Sequence, residues 1–353
     1  VNDGSTDACG IQSLSLSQSS FDCSEVGVNT VTLTATDNNS NTSSCSATVM
    51  VEDNVAPVAL CQNVTVQLDA TGNGSTTAAA VNDGSTDACG VYSLSLSQTS
   101  FECSNVGVNT VTLTVTDNNS NTSSCSATVT VQDNVAPVAL CQNVTVQLDA
   151  TGNGSTTAAA VNDGSTDACG IQSLSLSQTS FDCSEVGVNT VTLTVTDNNS
   201  NTSSCSATVT VQDNVAPSLS IRDITVYLDE EGSASITKAD LVTAASDNCA
   251  VLDTAISVST FGCRNTGENE VMVTLRDVNG NQTEETAVVT VLDDILPVAI
   301  CKDVTLFLDE TGHATLTPEE VDGGSGDNCE NASLAVNITG FDCNYLGYNT
   351  VIL

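Results

Sequence analysis

Asn109-Thr-Val-Thr-Leu-Thr-Val-Thr116 alternates apolar and hydroxyl side chains, so that Val111, Leu113 and Val115 share one face. A period of two describes a half-buried β-strand. The polar run Asp117-Asn-Asn-Ser-Asn-Thr122 that follows has the composition of a tight turn, and Ser126-Ala-Thr-Val-Thr-Val131 resumes the alternation. Upstream, Val64–Leu68 alternates, Asp69-Ala-Thr-Gly72 reads as a turn, Ser75–Val81 as a further strand and Asn82–Asp87 as a loop. Val91–Ser97 alternates Leu with Ser. No segment carries a helical period. Six or seven short strands between Pro57 and Ala136 predict an immunoglobulin-like (Ig-like) sandwich.

The same text recurs about every 80 residues, without an insertion. Phe21 returns as Phe101, Phe181, Phe261 and Phe341, and Pro57 as Pro137, Pro217 and Pro297. A fixed period of this length marks an array of structural repeats. The expected class is therefore all-β, with tandem Ig-like β-sandwich repeats of about 80 residues in a linear array. The boundaries predicted are 57–136 and 137–216, a diverged repeat at 217–296, the C-terminal part of a repeat at 1–56 and the N-terminal part of one at 297–353. Repeats 57–136 and 137–216 differ only at Val91/Ile171, Tyr92/Gln172, Glu102/Asp182 and Asn105/Glu185. Val1 falls in mid-pattern, as expected for a window on a longer protein.

Charge narrows the function. The chain has 43 acidic residues against five basic ones, a formal net charge of −38. Nucleic-acid binding needs clustered Lys and Arg, and anionic lipid needs the same. Neither partner is expected. No run of 18 apolar residues is present, so no membrane insertion through a helix is expected. The basic residues are Arg222, Lys238, Arg264, Arg276 and Lys302, so residues 1–221 have no internal cation. A hard divalent ion is the natural counter-charge, and Ca2+ prefers oxygens from Asp, Asn and backbone carbonyls. High charge can also signal disorder, but the abundant alternating Val, Leu and Ile runs oppose it.

Sixteen cysteines without Cys-x-x-Cys pairs point to disulfides and to an extracellular or cell-surface location. Four per repeat allow three connectivities. The diverged repeat has Ile221 and Glu285 where its neighbours have Cys61- and Cys125-type residues, yet it keeps Cys249 and Cys263. Joint loss of one pair is the simplest account. The expected bridges are Cys61–Cys125 and Cys141–Cys205, together with Cys9–Cys23, Cys89–Cys103, Cys169–Cys183, Cys249–Cys263 and Cys329–Cys343. Cys45 and Cys301 then lack partners within the window. They pair either with residues beyond it or between chains.

Pro57-Val-Ala-Leu-Cys61, Gly107-x-Asn-Thr-Val-Thr, Thr116-Asp117, Asn121 and Cys125-Ser-Ala-Thr-Val-Thr-Val together resemble the hyalin repeat family, and the resemblance covers the whole chain. It implies tandem Ig-like modules of extracellular proteins, with adhesion and surface architecture as their business.

The carboxylates are predicted to converge where one repeat meets the next. Asp83, Asp87, Asp117, Asn119 and Asn121 are expected at the pole where the chain enters a repeat, with Asp53 and Asn54 delivered there by the preceding one. The next junction has Asp133, Asn134, Asp163, Asp167, Asp197, Asn199 and Asn201. The third has Asp213, Asn214, Asp247, Asp277, Asn279 and Asn281, with Thr243 in place of the Asp83 type, so it should be weaker or should recruit Asn248. Asp117-x-Asn119-x-Asn121 resembles the first half of a calcium loop, although a hairpin turn uses the same residues. Asp69 suits turn chemistry better than a ligand.

A structural subunit of a secreted or surface fibre, filament or adhesin stalk is the expected function, rigidified by disulfides and inter-repeat calcium. Self-association, head-to-tail or lateral, is the expected partnership. A ligand-binding adhesin module, reading surface glycans or other surface proteins, is the alternative. Trp is absent, however, and Tyr92, Tyr227, Tyr345 and Tyr348 do not recur as an aromatic platform. No enzyme is expected, since His313 is the sole histidine and stands where Asn73 and Asn153 stand in the other turns. Sequons at Asn63, Asn73, Asn118 and Asn121 leave glycosylation open.

Overall fold

The computed structural model describes residues 1–330 and 332–353. They fall into two compact units, Val1–Gln142 with Thr157–Ser177 and Val191–Ala207, and Asn143–Thr156 with Gln178–Thr190 and Thr208–Leu353.

Residues 57–136, in the first unit, show the plan. They form β1 (Val64–Gln67), β2 (Asn73–Ser75), α1 (Ala78–Val81), β3 (Val91–Leu96), β4 (Ser100–Glu102), β5 (Gly107–Asp117) and β6 (Thr122–Gln132). The main sheet has the order β1-β6-β5-β3. The pair β5–β6 is antiparallel, with Leu113 opposite Cys125, and β1 runs parallel to β6 with Val64 opposite Val129. A smaller layer is made by β2 and β4, with Gly74 opposite Phe101, and by bridges from Val58 to Thr86 and from Cys61 to Asn82. Between the layers lie Val66, Leu68, Val81, Phe101, Val111, Leu113, Val115, Ala127, Val129 and Val131. The alternation of β5 thus places Val111, Leu113 and Val115 in the core and turns its threonines outward, as the period of two requires.

One expectation fails locally. The strand expected over Ser75–Val81 ends at Ser75, and Ala78–Val81 forms one helical turn. The Thr77 hydroxyl accepts from the Ala80 amide at 3.1 Å, which caps the turn and drops Val81 into the core. Four residues cannot display a helical period, so the pattern was silent there.

In the first unit, Ile11–Leu16, Gly27–Asp37 and Thr42–Val51 also form a three-stranded sheet in that order. In the second, Ile224–Tyr227, Gln282–Leu292, Gly267–Asp277 and Val251–Ile256 repeat the four-stranded order over a core containing Phe261, Val271, Val273 and Val289. Lys238–Asp253, at 3.2 Å and exposed on both sides, is the only ion pair among the described residues. Surface pairs of this kind contribute little, so burial and disulfides hold the fold.

The disulfides only partly follow expectation. Cys61–Cys125 and Cys141–Cys205 form as anticipated, tying the bridged segment ahead of the first strand of the main sheet to the last strand. The short pairings expected as Cys9–Cys23, Cys89–Cys103, Cys169–Cys183, Cys249–Cys263 and Cys329–Cys343 do not form. Cys23 bonds to Cys89, Cys103 to Cys169, Cys183 to Cys249 and Cys263 to Cys329, each 66 residues apart. Cys9, Cys45, Cys301 and Cys343 have no partner among the described residues. The reason lies in β3. Its six residues separate Cys89 from Cys103 by about 20 Å, far beyond the 7 Å that a disulfide can span. The two cysteines therefore sit at opposite poles, and each meets a cysteine of the adjoining repeat.

Candidate metal centres at the repeat junctions

Each junction begins with the hairpin turn after β5. Asp117 is 1% exposed and organises that turn: its Oδ1 accepts from the amides of Asn119 and Asn121, both at 2.8 Å, and its Oδ2 from the Asn121 side chain at 2.8 Å. Burial pushes the Asp117 carboxyl up, but donation from Asn121, Asn119 and Ser120 outweighs it and holds the group below its ordinary value. Both oxygens are thus already committed to the turn. Asn121 also donates to the backbone carbonyl of Asp53 at 2.9 Å, clasping the incoming linker. Asp197 and Asn201 repeat the arrangement, with Asn201 reaching the Asp133 carbonyl at 3.1 Å, as do Asp277 and Asn281 with the Asp213 carbonyl at 3.1 Å.

The linker aspartates face the loop after α1. One oxygen each of Asp53 and Asp87 lies within 4.8 Å of the other, beside the Cys89 sulfur, and Asp133, Asp167 and Cys169 are grouped in the same way. At the third junction three carboxylates converge, from Asp213, Asp247 and Asp277. One oxygen of each loop aspartate is spoken for, since the Cys89 amide donates to Asp87 at 2.7 Å, that of Cys169 to Asp167 at 2.8 Å and that of Cys249 to Asp247 at 2.9 Å. The linker aspartates use one oxygen too, Asp53 accepting from Val55 at 3.0 Å and Asp133 from Val135 at 3.1 Å.

What remains is unusual. Asp53 Oδ2, Asp133 Oδ2 and Asp247 Oδ1 are buried and without any hydrogen-bond partner. Asp133 as a residue is only 6% exposed. A buried carboxylate oxygen with no donor is costly unless a cation compensates it. The donor set fits a hard cation: two oxygens about 2.4 Å from one calcium lie at most about 4.8 Å apart. The adjacent sulfurs belong to disulfides and supply no thiolate.

The third junction differs in detail. Asn248 donates to Asp213 Oδ1 at 3.1 Å and to the Asp149 carbonyl at 3.0 Å, while its own Oδ1 is buried and unpartnered. Asn279 donates to Asp213 Oδ2 at 2.6 Å. Burial pushes Asp213 up, and donation from Asn279, Asn248 and Val215 brings it below its ordinary value.

Several anticipated residues lie outside these clusters. Asp83 and Asp163 are exposed, and their amides bond to the carbonyls of Leu60 and Leu140. Asn54 is exposed, and Asn134 turns back to donate to Gln67 Oε1 at 2.7 Å. Asn119 and Asn199 enter through their backbone amides, which bond Asp117 and Asp197. Asp69 is a turn organiser, accepting from the Thr71 hydroxyl and the Asn73 amide. A fourth set was missed: Asn328 donates to Asp293 at 3.1 Å, and Asp327 Oδ1 and Asn328 Oδ1 are buried and unpartnered. The period itself points to it, because Asp293, Asp327 and Asn328 stand one repeat after Asp213, Asp247 and Asn248.

No family model and no curated protein matches the chain. Among solved structures it is similar to protocadherin gamma B7 extracellular cadherin domains 1-4, at 15% identity over 76% of this chain and 84% of that one, with a TM-score of 0.28. It is also similar to Drosophila N-cadherin EC1-4, at 14% identity over 77% and 86% with a TM-score of 0.27, and to Sidekick-1 immunoglobulin domains 1-5, at 8% identity over 77% and 68% with a TM-score of 0.33. Likeness at this level carries no functional argument; the chain is an all-β array of sandwich-like sheets recurring about every 80 residues, on the strength of its own strand order.

Proposed function

We propose that the chain is a stretch of an extracellular or cell-surface stalk or fibre, of the hyalin-repeat type, whose junctions bind calcium. The observation that carries the reading is Asp133 Oδ2, a carboxylate oxygen buried without a partner on a residue that is grouped with Asp167. Six disulfides support an oxidising compartment. Repeats 57–136, 137–216 and 217–296 are the modules of this reading, and the chain itself, head-to-tail or side by side, is its partner. In residues 1–221 no protein cation opposes the carboxylates, so bound calcium would both neutralise the poles and fix the angle between modules. Because a disulfide also crosses each junction, chelation is expected to loosen the array without freeing the modules. Metal analysis after dialysis, with small-angle scattering in calcium and in chelator, tests this. A metal-free protein with the same scattering profile in both would end the calcium reading.

A further inference from the structure

The disulfides that cross the junctions share one property, which concerns how the chain carries tension. Cys89 and Cys103 are separated by 14 residues, and each bonds to a cysteine 66 residues away, the two together making up one period. A force applied to the ends of the chain therefore has a covalent shortcut. It arrives at Cys23, crosses to Cys89, runs along Cys89–Cys103, crosses to Cys169, runs along Cys169–Cys183, crosses to Cys249, runs along Cys249–Cys263 and crosses to Cys329. Everything between the two ends of each bridge is excluded from the load, including α1, β5, β6 and most of the core.

We propose that this protein is a tether of locked length, in which the junction disulfides form a continuous tension path and restrict each repeat to its 14-residue Cys89–Cys103-type segment. This rests on the stalk reading and adds to it the mechanical role of the bridges. Within the path, only β3 and β4 can be peeled, since they are the strands between Cys89 and Cys103.

A second observation agrees. Cys61–Cys125 joins two excluded segments and offers no shorter route. It is this bridge that the diverged repeat lacks, with Ile221 and Glu285 in its place, while Cys249 and Cys263 stay in the path. The core tolerates the loss, because Ile221 packs against the cluster around Leu228 and Phe261.

The test is to stretch the full chain by its two termini in an optical trap, before and after reduction. A phosphine supplies the electron pair for each bridge, giving two thiols and, with water, the phosphine oxide. Fully extended residues span at most about 3.3–3.6 Å each, so the oxidised contour should be about one quarter of the reduced one. Replacing one bridge, with Cys263→Ser and Cys329→Ser, should lengthen the oxidised contour by about 220 Å, since no other bridge spans that segment. Replacing Cys61→Ser with Cys125→Ser should leave it unchanged. Equal oxidised and reduced contours, or a longer contour in the Cys61/Cys125 variant, would overturn the proposal. Contour length reports bonds rather than folding, and mapping of the unreduced wild-type chain after cleavage at Asp and Glu, which parts Cys89 from Cys103 at Glu102, adds a check independent of any variant. A Cys89–Cys103 peptide pair there would also overturn it. A chelator-insensitive scattering profile would remove the calcium reading and leave these contours as they are.

Discussion

Asn201 donates its side-chain amide at once to the backbone carbonyl of Asp133, 68 residues upstream at 3.1 Å, and to Asp197 Oδ2 at 2.8 Å. One side chain thereby joins the linker that leaves a repeat to the hairpin turn of the next. Asp197 is fully buried, and Asn201 is one of the donors that satisfy its carboxylate oxygens. Asn201→Ala should lower stability by about 1–3 kcal/mol, read as a depressed melting temperature in calorimetry. A change within error would show that the clasp is dispensable.

The unpartnered Asp133 Oδ2 predicts an inversion between conditions. In chelator, Asp133→Asn removes an uncompensated buried charge and should be neutral or stabilising. In millimolar calcium the same variant should lose most of the stabilisation that the ion gives the parent protein, since ligand binding stabilises only the state that binds it. Thermal melts of both proteins in both buffers check this, and parallel shifts would contradict it.

Gly72 tests the junction packing from the other side. Its φ of +76° lies in the left-handed region, and a Cβ there would sit 2.6 Å from Cys103 Sγ and 3.3 Å from Ala168 Cβ. Gly72→Ala is therefore strained twice over, by backbone conformation and by contact with the bridge. Slower closure of Cys103–Cys169 is expected, seen as persistent free thiol at those two positions during oxidative refolding. Closure at the parental rate would show that the turn yields.

Acid should unfold the chelated array through its turn aspartates. Side-chain donation from Thr71 chiefly lowers the Asp69 carboxyl, and Asp117 and Asp213 also lie below their ordinary value. A carboxyl depressed in the folded state adds stability that is complete above its unfolded value, about 3.9, and is lost as pH falls through the folded value. Melting temperature in chelator should hold from neutrality to about pH 5 and fall steeply below about pH 4. A flat profile down to pH 3 would contradict the assignment.

Much of this molecule follows from local rules. Alternation of Val and Leu with Thr dictates the strands from Val111 to Val131, and Asp, Asn and Gly dictate the turns at Asp69–Gly72 and Asp117–Asn121, because both depend on residues a few positions apart. The Cys61–Cys125 bridge was also legible, from a paired loss in the diverged repeat. What tertiary structure alone decided is which pole each side chain reaches. Cys89 and Cys103 are near neighbours in sequence, yet β3 carries them to opposite ends of the sandwich, so that each finds its partner 66 residues away. Asp133 and Asp167 meet, and Asp163 stays in solvent, for the same reason: proximity across a junction is set by strand length and direction, which spacing along the chain does not encode.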